Sequence, residues 1–391
     1  MTVPHSAEHP SDRSADDTGA IPTVPAAPAT SEEPAEMPRR ALILGESAMA
    51  LDLEQAYKRM GFDTRVGAAS IAEAFYPGII VTSGDAEDTI ETVEEVSQRV
   101  GAVVAPSVEA CRHTADRMAV RKQANEELGL PVLDYEFAAT PQEMHDAVER
   151  IGYPCVVKSP TSKDGEGFSF VHSDADLADA WRSADRGLGQ GAVVERFIDF
   201  DFEVTILAAR SIDPSTGELA TWFCEPIGTR HREGRLVESW QPAPLPEAAM
   251  DNARSIAARI VGALASCGIF SVEMFVSGDD VYFSQVTPRP SRDGLVTFVT
   301  QRINQFDLQA RATQRLPIDS TLISPGAVRF LEGHPSQAAL AAAMAVEEVT
   351  VRMLGDGTLV LATADSAAEA RQRTDEAVRD IHKIDGKPGE N

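Results

Sequence analysis

Phe270-Ser271-Val272-Glu273-Met274-Phe275 and, shortly after it, Val281-Tyr282-Phe283-Ser284-Gln285-Val286-Thr287-Pro288-Arg289-Pro290 are largely apolar stretches, interrupted by an acid in the first and an amide in the second. Their alternation predicts a β-hairpin with Glu273 and Gln285 facing one another at its mouth. A charge on an otherwise apolar strand demands a partner. Oxygen-bearing side chains paired across a hairpin are a common way of holding a hard cation such as Mg²⁺ on a triphosphate.

Working outward, Val204-Thr205-Ile206-Leu207, Trp222-Phe223-Cys224 and Val281-Tyr282-Phe283 predict an antiparallel sheet, interrupted by one helix from about Ala248 to Ala265. Upstream the pattern changes. Ala41-Leu42-Ile43-Leu44-Gly45, Ile79-Ile80-Val81-Thr82 and Ala102-Val103-Val104-Ala105 alternate with helical runs from Met49 to Met60 and from Asp88 to Arg99. That is a small parallel βαβ unit. A helix from about Thr114 to Leu128 stops at Gly129-Leu130-Pro131, and a second βαβ-like stretch contains the strand Cys155-Val156-Val157-Lys158. After Pro325 come Val328-Arg329-Phe330-Leu331, an Ala-rich helix, Leu359-Val360-Leu361 and a closing helix from about Ser366 to Ile381. The fold class is therefore α/β combined with α+β.

Residues 1–38 are rich in Pro, Ala, Ser, Thr, Asp and Glu without apolar periodicity, which reads as a disordered tail, and residues 385–391 as a short second one. At 391 residues, the chain has room for two or three domains. The formal charge of −26 repels phosphate backbones and anionic lipids, so nucleic acid and membranes are poor partners and any phosphate site must be local. No apolar run approaches a membrane span, and no secretory signal precedes Arg39-Arg40, so a cytoplasmic protein is expected. Cys111, Cys155, Cys224 and Cys267 lack metal-site spacing and read as reduced thiols.

Two further places bear on chemistry. Lys158 ends an apolar strand and opens the polar loop Ser159-Pro160-Thr161-Ser162-Lys163-Asp164-Gly165-Glu166-Gly167, which suits either backbone contact with phosphate or an ordinary hairpin turn. Val193-Val194-Glu195-Arg196-Phe197-Ile198, followed by Glu203, offers acids either to an adenine amino group and ribose hydroxyls or to solvent at an edge strand. The residues alone leave the loop open, and spacing alone favours the solvated edge strand for Glu195.

The order of these pieces resembles the ATP-grasp superfamily, and within it the formate-dependent phosphoribosylglycinamide formyltransferases. The resemblance runs from about Arg40 to the end. It is dense through Ile151-Gly152-Tyr153-Pro154-Cys155-Val156-Val157-Lys158, Phe200-Asp201-Phe202-Glu203-Val204-Thr205, Glu238-Ser239-Trp240-Gln241-Pro242 and Pro288-Arg289-Pro290. It implies a βαβ substrate-side domain at 39–112, an ATP-grasp domain at 113–325 and a small C-terminal domain at 326–384. It also implies ATP and Mg²⁺ as cofactors, a small carboxylate and an amine as substrates, and a homodimer. Arg117, Lys158, Gly165 and Gly167 would then contact ATP phosphates, Glu195 and Ile198 the adenine, Glu203 the ribose, and Glu273 with Gln285 the metal. No residue is assigned to catalysis itself.

Against that pattern the chain departs in two places. The family's second metal glutamate is Gln285 here, which offers an oxygen but no charge, and the lysine between the loop glycines is Glu166, with Lys163 earlier in the loop. Magnesium binding is expected to weaken. On the amine side, Ala48 stands in place of a substrate-binding glutamate near Glu46, Ser83 in place of an acid two residues before Asp85, and Arg292, beside Asp293, in place of an aspartate. Leu354-Gly355-Asp356-Gly357-Thr358 is shorter than the family's loop and lacks its lysine and arginine pair. The substrate candidates are thus Glu46, Asp85, Arg289, Arg292 and Asp293. Three functions follow: ATP-dependent activation of formate or another small carboxylate with transfer to an amine, a catalytically impaired paralogue acting through nucleotide binding or its surfaces, or formyl transfer to glycinamide ribonucleotide itself through shifted side chains such as Asp85, Arg292 and Asp293.

Overall fold

The computed structural model describes residues 39–161, 167–232, 234–355 and 357–386. β1 (Arg40–Leu44), β2 (Asp63–Gly67), β3 (Ile79–Thr82) and β4 (Val103–Ala105) form a parallel sheet in the order β2-β1-β3-β4. Helices cover both its faces, so β1 reads as a continuous apolar run. Ala41 and Ile43 pack with Leu53, Ala56 and Tyr57 of helix Ala48–Arg59, and Leu42 and Leu44 pack with Val93 and Val96 of helix Ile90–Val100. Ser47 and Thr89 start these helices by accepting from Ala50 N at 3.3 Å and Thr92 N at 3.2 Å.

The helix expected from Thr114 to Leu128 is divided. Asp116 lies within the apolar spacing but is a strong cap, accepting from Met118 N at 2.9 Å and Ala119 N at 3.2 Å, so Arg117 opens a new helix that runs to Lys122. The βαβ-like stretch that follows is antiparallel. β5 (Tyr135–Ala138), β6 (Cys155–Lys158), β7 (Ser169–Val171) and β8 (Ala192–Arg196) pair in the order β5-β8-β6-β7. Helices Pro141–Ile151 and Leu177–Asp185 cover one face, onto which Cys155, Val157, Ala192 and Val194 project. Alternation then sends Lys158 and Glu195 together to the opposite face.

The remaining strands are β9 (Phe202–Ile212), β10 (Leu219–Phe223), β11 (Ile227–Arg232), β12 (Arg235–Gln241), β13 (Gly268–Ser277), β14 (Asp280–Thr287), β15 (Gly326–Glu332), β16 (Val349–Leu354) and β17 (Gly357–Thr363). Among the described residues they make one nine-stranded antiparallel sheet, β14-β13-β9-β11-β12-β15-β17-β16, with β10 on β9. Helix Glu247–Ala263 lays Ala253, Ile256, Ala257 and Ile260 on Val204, Ile206, Val272 and Met274. Burying each larger aliphatic side chain contributes about 1.5–3 kcal/mol. With Val204 and Met274 committed to that helix, Glu203, Thr205 and Glu273 are left on the other face. No helix among the described residues is long and apolar enough to cross a membrane. All four cysteines are free, with Cys155 and Cys224 buried.

Helix Ala367–Asp385 is tied to β12 by charge. The fully buried Glu238 accepts from Arg371 Nε and Nη2, both at 2.9 Å, and lies 3.1 Å from Arg230 Nη2. The Arg371 guanidinium also stands 3.9 Å over the Trp240 ring, which presses on Gly228 so closely that a Cβ there would lie 2.2 Å from it. Gly228→Ala is expected to destabilise the protein by about 1–3 kcal/mol, because the ring is pinned on its other side. Thermal unfolding measures this, and an unchanged midpoint would show that the ring yields freely.

Candidate active site

The opposite face of the β5–β8 sheet carries a buried cation cluster built on one acid. Glu195 is 2 % exposed, and its Oε2 accepts from Lys158 Nζ at 2.6 Å while its Oε1 accepts from Arg121 Nη2 at 2.6 Å. Arg121, itself 1 % exposed, also donates through Nη1 to Phe283 O at 2.8 Å, joining this sheet to the large one. Burial alone would raise the Glu195 carboxyl, but Arg121, Lys158 and Arg117 overwhelm it and hold it at about 2. Burial pushes Lys158 below the usual lysine value, aided by Arg117 and Arg121 and opposed by Glu195. Three cations thus surround one carboxylate, a positive surplus suited to a polyphosphate.

Arg117 lies one turn before Arg121, with its N–H donating to Pro160 O at 3.3 Å, and faces both Glu195 and Glu273. Beside it lies a small cleft lined by Thr114, Arg117, Pro160, Thr161, Ser284 and Gln285. One predicted phosphate side chain, Arg117, and one of the predicted metal pair, Gln285, therefore line the same cleft, and Arg117 also interacts with both Glu195 and Glu273. Sequence reading missed Arg121. Its signal was four-residue spacing from Arg117 on a helix face that also carries Val120 and Ala124.

On the large sheet, Glu273 stands directly opposite Gln285 on one side and Thr205 on the other. Thr205 Oγ1 donates to Asp293 Oδ2 at 2.7 Å, which draws Asp293 toward the same patch. Glu203 is on this face two residues before Thr205, and its Oε2 is 2.8 Å from His231 Nδ1. Burial, followed by Asp293, pushes the Glu273 carboxyl up to about 7, and Asp293 is raised as well. Burial opposes protonation of His231, but Glu203, then Asp293 and Glu273, outweigh it and bring the imidazole to about 9. Three carboxylates gathered around one imidazole fit a divalent cation, and hard oxygen donors from Glu273, Gln285 and Asp293 suit magnesium. His231 had no sequence signal, because nothing local shows that a histidine on β11 will meet an acid on β9.

The amine-side candidates lie at the ends of β1 and β3. Asp85 Oδ2 accepts from Glu46 N at 3.1 Å and Ser47 N at 2.8 Å, and its Oδ1 accepts from the Ser83 hydroxyl. Burial would raise the Asp85 carboxyl, but these hydrogen bonds outweigh it and hold it below the usual value. It occupies the N-terminus of helix Ala48–Arg59 as an internal anion. Glu46 is exposed beside it. Arg289 lies against Gly84, where a Cβ would fall 1.9 Å from its Nε. Arg292 and Asp293 diverge: the Arg292 guanidinium sits 5.4 Å over the Phe330 ring, while Asp293 joins the acidic patch. Ile198 is half-buried just beyond β8, and Gly167, at φ +71, accepts from Ser159 N at 3.0 Å. Gly165, with Lys163, Glu166 and Asp356, lies outside the described residues.

Residues 123–306 match the family model described as the ATP-grasp domain. The formate-dependent phosphoribosylglycinamide formyltransferase of Corynebacterium efficiens is 41% identical over 375 residues, 85% of this chain and 93% of that one. Its namesake in Corynebacterium jeikeium is 48% identical over 304 residues, 73% and 74% of the two chains. The solved glycinamide-RNase-transformylase T of Mycobacterium tuberculosis superposes with a TM-score of 0.73 at 31% identity, covering 88% of this chain and 99% of that one. An ATP complex of carboxyaminoimidazole ribonucleotide synthase from Aspergillus clavatus superposes with a TM-score of 0.77 over 88% of this chain and 99% of that one; at 19% identity, this likeness concerns the fold alone.

Proposed function

The chain belongs to the formate-dependent phosphoribosylglycinamide formyltransferase family of ATP-grasp enzymes, and from that premise we propose that it spends ATP to activate formate or another small carboxylate as an acyl phosphate and passes the acyl group to an amine. The observation that carries this reading is Arg117, which lines one cleft with Gln285 and interacts both with Glu195, the partner of Arg121 and Lys158, and with Glu273, which stands opposite Gln285. Arg117 and Lys158 would meet the phosphates, while Glu195 fixes Lys158 and Arg121 in place. In this arrangement the Glu195 side chain is spent on the cations, which leaves adenine to the backbone around Glu195 and Ile198. Glu203 would take the ribose hydroxyls. Glu273, Gln285 and Asp293 would hold Mg²⁺, which when bound neutralises charge on the transferred phosphoryl group. Exclusion of water from the site would protect the acyl phosphate until the amine attacks it.

The relatives' names make glycinamide ribonucleotide the first amine to test. A specific observation favours a changed amine. Asp85 is spent on the helix N-terminus, and Leu354-Gly355 with Gly357-Thr358 supply no basic side chain. A phosphate monoester wants charge-assisted donors worth about 1.5–3 kcal/mol each. Purified protein incubated with ATP, magnesium and formate is expected to release ADP only when an amine acceptor is present. ADP and a formylated product with glycinamide ribonucleotide would place the substrate with the relatives. ADP with other amines alone would support the altered site, and none across a panel of acids and amines would favour the impaired paralogue.

A further inference from the structure

His231 belongs to none of the roles above, yet it is placed where one is needed. Thr229 pairs with Glu203 across β11 and β9, with Thr229 Oγ1 donating to Glu203 O at 3.3 Å, and alternation brings His231 to the same face two residues on. The β11–β12 register shifts between Arg230 and His231, so that Arg230 faces Glu238 and His231 faces Leu236. The extra residue, Val237, adds local twist there. The outcome is one directed contact: Nδ1 lies 2.8 Å from Glu203 Oε2. Among the described residues Glu203 Oε1 accepts no hydrogen bond. Both side chains keep partial access to solvent, 27% for His231 and 20% for Glu203, so neither is merely buried filler.

We infer that His231 is a positioning residue of the nucleotide site: its Nδ1–H anchors one oxygen of Glu203 so that the other is presented to the ribose hydroxyls, which makes His231 a determinant of sugar recognition. The inference rests on the reading that Glu203 receives the ribose. A long carboxylate side chain left alone on a strand samples several rotamers, and fixing it beforehand removes that cost from binding. The imidazole also offsets the charge of Glu203, Glu273 and Asp293, so Glu203 keeps its place in an acidic patch that would otherwise push it toward solvent.

Calorimetric titration of the full chain with Mg-ATP, Mg-2′-deoxyATP and Mg-3′-deoxyATP separates the possibilities. The natural protein is expected to prefer ATP over at least one deoxy analogue by about 10- to 100-fold, the range of one hydrogen bond to a charged group. His231→Phe removes the donor and is expected to abolish most of that preference, and His231→Gln, which restores an N–H donor, to recover part of it. Should His231→Phe fail to fold, His231→Ala at this partly exposed site carries the same reading. If Glu203→Ala leaves the preference intact, the ribose role of Glu203 is wrong and the inference falls with it. If Glu203→Ala removes the preference while His231→Phe keeps it, the inference alone is overturned. Failure of the natural protein to bind ATP would overturn both.

Discussion

Glu195→Ala is expected to cost about 3–5 kcal/mol of stability, because it leaves Arg121 and Lys158 as unpaired charges in a site that water barely reaches. The thermal midpoint should fall on the order of 10 °C. The pair as a whole is not what stabilises the fold. Its attraction largely repays the desolvation of the ions, so a triple change of Glu195, Arg121 and Lys158 to apolar residues of similar volume should recover much of the loss. Linkage gives an independent check. The Glu195 carboxyl sits at about 2 in the folded protein against an ordinary value of 4.5. The unfolded chain therefore binds the proton more readily, and the contribution of Glu195 is fully present above the ordinary value and lost as pH falls toward the folded one. Denaturant unfolding at pH 7 and at pH 4 should show a narrower gap in Glu195→Ala than in the natural protein. An equal gap in both would assign the acid sensitivity to other carboxylates.

That network shows what the sequence could and could not disclose. The hairpin pairing of Glu273 with Gln285 was legible because both partners lie on adjacent strands of one turn, where alternation sets the register. Lys158 was legible as the end of an apolar strand. Arg121 was not, since its partner is 74 positions away and only the packing of a helix against two sheets brings them together. Glu195 read by its spacing as a solvated edge acid, because polarity on a strand reports exposure unless a buried partner is known. The β5–β8 stretch looked parallel because apolar periodicity carries the burial of a strand but not its direction, and β7 returns directly beside β6 as a short antiparallel strand. Asp116 divided a helix whose spacing continues through it, for a capping side chain overrides periodicity at the point where it meets free N–H groups.

Glu273→Gln is expected to lower magnesium-dependent ATP turnover by about 10²–10³, the loss of several kcal/mol of metal-assisted charge stabilisation. Gln285→Glu should move the other way and tighten magnesium by roughly 10-fold or more, since a second full charge would face Glu273 across the hairpin. In the absence of metal the same substitution should destabilise the protein, because burial and Asp293 already raise the proton affinity of Glu273. The sign of the pH dependence follows from that. With its carboxyl pushed up to about 7, Glu273 holds a proton in the folded state that an unfolded chain, at the ordinary 4.5, would have released. Metal-free stability therefore declines as pH rises from 4.5 toward 7, while magnesium, which must displace that proton, binds more tightly over the same rise. Titrating Mg²⁺ in buffers of different ionisation enthalpy at pH 6, 7 and 8 counts the protons released. Release that shrinks toward pH 8 and vanishes in Glu273→Gln would assign it to this carboxyl. A pH-independent affinity would mean that Glu273 is already ionised, and that the excess charge of the patch is met by His231 and Arg117 before any metal arrives.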